Sequence, residues 1–202
     1  MIRRIVCVLF ASALFAAPAI TLAAPPDSLS NVLVDIDYPD NNVQQDYQQP
    51  DQYISTPQVD SGSALVINSV TGVPLYQKNI QRQAPIASIT KLMTAMVTLD
   101  ADLPMNEPIT ITEDDIDRLK GSSSRLQVGT TLPRREILLL ALMSSENRAA
   151  HALARTYPGG EEAFIARMNR KARGLGMYNS AFYDPTGLTP RNVSTAADLA
   201  LM

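Results

Sequence analysis

The 202 residues carry 17 basic and 20 acidic side chains, a net charge of −3, and 46% are hydrophobic, which suits one domain with a core and offers no basic surface for nucleic acid. The only cysteine is Cys7 and the only histidine is His151, so a Cys/His metal cluster is excluded and neither a metal nor any other cofactor is expected.

The chain opens with Met1-Ile2-Arg3-Arg4, a short basic start, followed by an apolar run from Ile5 to Ala17 that Pro18 closes. Small residues at Thr21 and Ala23 then complete the layout of an export signal, so residues 1–23 are read as a signal peptide cleaved before Ala24. An uncleaved anchor is the competing reading, and Pro18 with its small neighbours argues against it. Without Arg3 and Arg4 the net charge is −5, and no second long apolar run follows, which predicts a soluble mature protein with no stable membrane span. Residues 24–58 contain six aspartates, no lysine or arginine and prolines at 25, 26, 39, 50 and 57. Such a composition cannot bury enough apolar surface to fold alone, and it predicts a disordered acidic linker.

Residues 59–202 hold the folded part. Ser63 to Val70 is rich in β-branched residues, Thr71-Gly72 is a turn signal, and Val73 to Lys78 reads as the second strand of a hairpin. In Pro85 to Leu99, Ile89, Leu92, Met93, Met96 and Val97 recur at helical spacing and predict one apolar stripe. Ser88 stands where a hydroxyl caps the first turn, and Lys91 follows three residues later on the same surface. A serine and lysine so placed meet the needs of a nucleophile and its base, although about 0.3 such spacings arise by chance among 15 serines and 4 lysines. Ile109 to Thr112 reads as a short extended piece, and Glu113-Asp114-Asp115 suits a first helical turn. Gly121 to Ser124 is a loop. Pro133 to Met143 is apolar nearly all round, which predicts a helix buried in the middle of the domain. Two further helices are expected, at Ala149 to Tyr157 and at Glu161 to Leu175, separated by Pro158-Gly159-Gly160.

Ser88-x-x-Lys91 followed by Ser145-Glu146-Asn147 resembles the first two motifs of the serine penicillin-binding proteins and β-lactamases. Pro85-Ile-Ala-Ser-Ile-Thr-Lys-Leu-Met-Thr94, Met143-Ser-Ser-Glu-Asn-Arg-Ala-Ala150 and Asp184-Pro-Thr-Gly-Leu-Thr-Pro-Arg-Asn-Val-Ser194 narrow this to the D-alanyl-D-alanine carboxypeptidases and endopeptidases. Within them, the endopeptidase (penicillin-binding protein 7) type is the most similar. The resemblance implies an α+β, β-lactamase/transpeptidase-like fold, an antiparallel sheet with a helical cluster. It also implies a periplasmic peptidase of peptidoglycan stem peptides, inhibited by β-lactams.

In that family Ser88 is the nucleophile that forms the acyl-enzyme, Lys91 its base, Ser145 a proton relay and Asn147 a substrate-binding residue. The family's third motif, Lys-Thr-Gly, does not occur in the 202 residues. The resemblance therefore implies the N-terminal portion of such a domain, lacking the C-terminal strands and leaving an open edge on the Ser63 to Val70 strand. A catalytically inactive remnant that at most binds cell-wall peptide or a partner is the alternative. His151 has no evident aspartate partner in the sequence and reads as a packed or surface residue. Arg148 and Arg191 read as solvated or salt-bridged, and Asp184 reads as a turn former.

Overall fold

A computed structural model describes residues 5–10 and 57–202. Of these, residues 5–10 and 59–202 form one compact unit. Apart from Pro57 and Gln58, the expected linker lies outside the described residues, as does most of the expected signal segment.

The hairpin forms from Ser63–Asn68 (β2) and Pro74–Lys78 (β3), antiparallel, with Ala64 opposite Lys78 and Val66 opposite Tyr76. Asn68 builds its turn by accepting from the N–H groups of Val70 and Thr71 through Oδ1, and Gly72 takes φ 70°. The second edge of β2 is not open. Ile5–Phe10 (β1) pairs along it in parallel, from Ile5 opposite Ser63 to Phe10 opposite Asn68, so the sheet is mixed in the order β1-β2-β3. Ile-Val-Cys-Val-Leu-Phe has the β-branched and aromatic composition of a strand, and an unpaired edge recruits such segments.

Ala84–Pro85 (β4) leads into a 3-10 turn at Ala87–Ile89 and then the helix Thr90–Asp100 (α1). Pro108–Thr110 (β5) pairs with Thr131–Pro133 (β6), and Arg134–Met143 (α2), Asn147–Arg155 (α3) and Gly160–Gly174 (α4) follow. Val193–Ser194 (β7) pairs with β4, and Ala196–Leu199 (α5) is the last described helix. Among the described residues, no helix is long and apolar enough to cross a membrane.

Two apolar cores share walls. One gathers Ala95, Ile109, Ile111, Leu126, Ile137, Leu138 and the inner face of α3; the other gathers Ile86, Met93, Val97, Phe164, Met168 and Phe182. Because α1 lies between them, it is buried on more than one side, and the expected stripe is only partly right. Met93 and Val97 are fully buried, but Leu92 is 50% exposed, and Thr90, Lys91, Thr94 and Thr98 take buried positions instead. Thr90, Lys91 and Thr94 stay inside because the segment from Asp184 to Asn192 supplies them with partners, and the Thr98 hydroxyl donates to the Thr94 carbonyl of its own helix. The helix after Pro133 also departs from expectation. It buries Arg134, Ile137, Leu138 and Ala141 and exposes Leu139, Leu142 and Met143, so it packs by one face.

Candidate active site

Ser88 sits inside the 3-10 turn, exposed, rather than capping the helix as expected, and no side chain caps that turn. The turn's hydrogen bonds run from the N–H of Ile89 to the Ile86 carbonyl and from the N–H of Thr90 to the carbonyls of Ala87 and Ser88. None of these uses the N–H of Ser88. Ala87 just before it has φ 48°, a left-handed conformation that a residue with a Cβ adopts only when its surroundings enforce it.

Lys91 lies one turn on and is 3% exposed. Its Nζ donates to Ser88 Oγ at 3.2 Å, Asn147 Oδ1 at 2.8 Å and the Thr186 carbonyl at 2.8 Å. Burial pulls its pKa from 10.5 down to about 8, against the opposing pull of the Asp184 and Glu146 carboxylates. The amine is thus poised to lose its proton close to neutral pH.

Asn147 is the first residue of α3, delivered by a tight turn at Ser144, Ser145 and Glu146. The N–H groups of Ser144 and Glu146 both bond to the Leu140 carbonyl, and Ser145 between them takes φ 53° and is exposed. The structure therefore brings Ser88, Lys91 and Asn147 into one hydrogen-bonded group. The Ser145 hydroxyl makes no hydrogen bond among the described residues. On its far side, the Asn147 amide donates from Nδ2 to Ser122 Oγ at 2.9 Å, and Ser122 Oγ donates to Asp117 Oδ2 at 2.6 Å.

The segment Asp184 to Asn192 props up the serine turn from below. Asp184 accepts from the N–H groups of Thr186, Gly187 and Thr189, the turn-forming role read from sequence. Asn192, fully buried, accepts from the N–H groups of Tyr183 and Asp184 and donates to Thr90 Oγ1 at 3.0 Å, while its carbonyl takes the Ile86 N–H. Thr94 Oγ1 donates to the Pro185 carbonyl at 2.7 Å. At Gly187, φ is +83° and an added Cβ would lie 1.9 Å from the Ala87 oxygen and 3.0 Å from the Ser88 nitrogen. Backbone packs on backbone here because Gly187 has no side chain.

Sequence reasoning missed Asp117, Ser122, Thr186, Gly187 and Asn192 as neighbours of the site. The last three stand in a quoted motif, which was a usable signal; the first two stand in an ordinary polar loop.

His151 corrects the sequence reading, since Asp115 is its partner. Nδ1 lies 2.7 Å from Asp115 Oδ1 and Nε2 lies 3.3 Å from Glu161 Oε2, while Arg155 also clasps Asp115. The bonds to Asp115 and then Glu161 raise the ring to about 9, outweighing desolvation. Burial alone would raise the Asp115 carboxyl, but the bonds from His151, Arg155 and the Thr112 N–H hold it at about 2.

A histidine raised above its ordinary 6.5 contributes its full stability below that value and loses it as pH rises through about 9. For the depressed Asp115, stability is present above its ordinary 3.8 and is lost as pH falls through about 2. Thermal melts of His151→Gln should fall below wild type by roughly 5 °C between about pH 4 and 6.5 and converge with it near pH 10. A gap that does not change with pH would mean that the ion pair contributes nothing.

Among the described residues, neither the Arg148 nor the Arg191 side chain reaches a carboxylate. Arg148 Nη1 donates to the Leu126 carbonyl at 2.8 Å, and the Arg191 guanidinium lies 3.9 Å from the centre of the Tyr183 ring.

The helical cluster flanked by small sheets is the fold of the DD-transpeptidases and DD-carboxypeptidases. The Streptomyces K15 DD-transpeptidase superposes with a TM-score of 0.67 at 29% identity, over 73% of this chain and 62% of that one. The family described as D-alanyl-D-alanine carboxypeptidase matches residues 50–202, and this chain belongs to that family. It is 55% identical over 139 residues to a D-alanyl-D-alanine endopeptidase of Pseudomonas aeruginosa, covering 69% of this chain and 45% of that one. To the D-alanyl-D-alanine endopeptidase of Escherichia coli it is 50% identical over 145 residues, covering 72% and 47%. The chain spans about half the length of these curated relatives.

Proposed function

We propose that the full-length protein is a serine-type D-alanyl-D-alanine peptidase of peptidoglycan stem peptides, with an endopeptidase preference, that forms an acyl-enzyme on Ser88. The observation that carries this reading is the set of three partners around Lys91 Nζ. A neutral amine has two N–H bonds and one lone pair. Asn147 Oδ1 and the Thr186 carbonyl can only accept, so they engage the two N–H bonds and leave the lone pair for the Ser88 hydroxyl.

In acylation, Ser88 Oγ attacks the carbonyl carbon of the D-alanyl bond and passes its proton to Lys91 Nζ. The C–N bond then breaks, and the departing amine takes a proton through the exposed Ser145 hydroxyl. Asn147 holds both the lysine and the substrate amide, and the Ser88 N–H at the helix start offers one donor to the developing oxyanion. Water releases the acyl group. A β-lactam undergoes the same attack but opens a ring, so its amine stays tethered to the adduct.

The similarity to two endopeptidases supports the preference, and the basic-apolar-small layout of residues 1–23 supports export to the periplasm with an N-terminus at Ala24. One experiment tests the reading: the full-length protein is incubated with a fluorescent penicillin and analysed by mass spectrometry. The adduct is expected on the Ser88 peptide, absent from Ser88→Ala, and the same spectra read the mature N-terminus. Labelling that survives Ser88→Ala would assign the acyl group to another residue, and no labelling at all would favour peptide binding without acylation.

A further inference from the structure

We infer that Asp117 and Ser122 are positioning residues that fix which atom of the Asn147 amide faces Lys91. The inference rests on the proposed role of Lys91 as base, and it is carried by the direction of the hydrogen bonds between four side chains. Asp117 is a carboxylate and can only accept. Ser122 Oγ, 2.6 Å from Asp117 Oδ2, must therefore spend its single proton there and present a lone pair to whatever lies beyond. What lies beyond is Asn147 Nδ2 at 2.9 Å, which can only donate. With Nδ2 committed to Ser122, Oδ1 is left facing Lys91 Nζ at 2.8 Å. The donors run one way, from Lys91 to Asn147 to Ser122 to Asp117.

Asp117 is itself held fast. Its Oδ1 accepts from the N–H groups of Leu119 and Lys120, and its Oδ2 accepts from that of Ser122. Desolvation pulls its pKa up, but the bonds from the Ser122 hydroxyl and from these backbone groups hold it at about 2, so it remains an acceptor at working pH.

Without this chain only the proton on Lys91 selects the amide orientation, and that selection is lost when the amine is neutral. Asn147 also lines a cavity of about 220 Å³ that Asp117, His151, Glu161 and Thr186 help to enclose, which gives the amide room to turn. A turned amide would aim Nδ2 at the lysine. That placement engages the lone pair meant for Ser88 and sets a donor against the charged form, so the amine becomes a weaker acid-base partner in two measurable ways. The other charged groups acting on Lys91, the Asp184 and Glu146 carboxylates, stay where they are.

The test uses Ser122→Ala, which removes the hydroxyl and keeps the backbone bond to Asp117, together with Ser122→Thr, which keeps a hydroxyl. Lys91 is titrated by carbon-13 NMR of its Cε in the full-length protein, and β-lactam acylation is followed against pH. In Ser122→Ala, the Lys91 midpoint is expected to fall by about one pH unit and the plateau acylation rate by roughly tenfold or more, with Ser122→Thr restoring both. A loop that matters only for stability would lower the melting temperature and leave the Lys91 midpoint in place. An unchanged midpoint in a folded Ser122→Ala protein overturns the inference. If the midpoint moves as expected but wild type forms no Ser88 adduct, the proposed function fails and the positioning role stands.

Discussion

Lys91→Met lowers β-lactam acylation of Ser88 by about 10³-fold and leaves a folded protein, as stopped-flow acylation and a thermal melt should show. Methionine matches the length of the lysine stem at a position that is 3% exposed, so the substitution removes the amine while filling its space. What disappears is the group that, among the described residues, is hydrogen-bonded to the Ser88 hydroxyl and placed to take its proton. Lys91→Arg should fail equally, because guanidinium keeps its proton at any working pH.

On the proposed mechanism the base is the neutral Lys91 amine, whose pKa is lowered to about 8 chiefly by burial. The rate should therefore climb about tenfold per pH unit below that value and level off above it. Lys91→Met should show no such rise. A wild-type rate that is flat from pH 6 to 10 would assign the proton to another group.

The second large effect is expected at a residue without a side chain. Gly187→Ala places a Cβ 1.9 Å from the Ala87 oxygen and 2.4 Å from its carbonyl carbon, at φ +83°. The left-handed conformation alone costs ~1–2 kcal/mol for alanine, and the overlap with rigid backbone cannot be relieved by turning a side chain. Either the loop retreats from the serine turn or the turn moves. Displacing a nucleophile by ~1 Å is worth about 10²-fold in rate, so acylation should fall by at least that much along with the melting temperature. A Gly187→Ala protein that acylates within threefold of wild type would show that the close approach does not set the position of Ser88.

The sequence made the helices legible where the apolar period was strong, as in α4, whose buried Phe164, Met168 and Ala172 follow helical spacing. It misread α1 and α2 for opposite reasons. In α1, threonines and a lysine are buried because the distant Asp184 to Asn192 segment satisfies them, and no local pattern announces a partner some 90 residues away. In α2, leucines that look like core lie at the surface, because the packing of one face against α3 and β5 leaves the other unused.

The site was half legible. Ser88, Lys91 and Asn147 converge as the motif spacing suggested, while the Ser145 hydroxyl, on a left-handed turn, makes no hydrogen bond among the described residues. His151 shows the limit most plainly, since its aspartate stands 36 positions earlier in a short acidic run.

The wall that α1 makes between the two cores also decides how the site can be lost. Ala95 faces one core and Met93 and Val97 the other, and α3 divides itself the same way between Ala152 and Ala154. A local opening of either core strips one side of both helices, so Ser88, Lys91 and Asn147 have no independent unfolding event of their own. Amide protons in α1 should exchange with solvent only at the rate of global unfolding. A destabilising change in α4, outside the hydrogen-bonded group of the site, then thins the population of competent molecules without slowing those that remain folded.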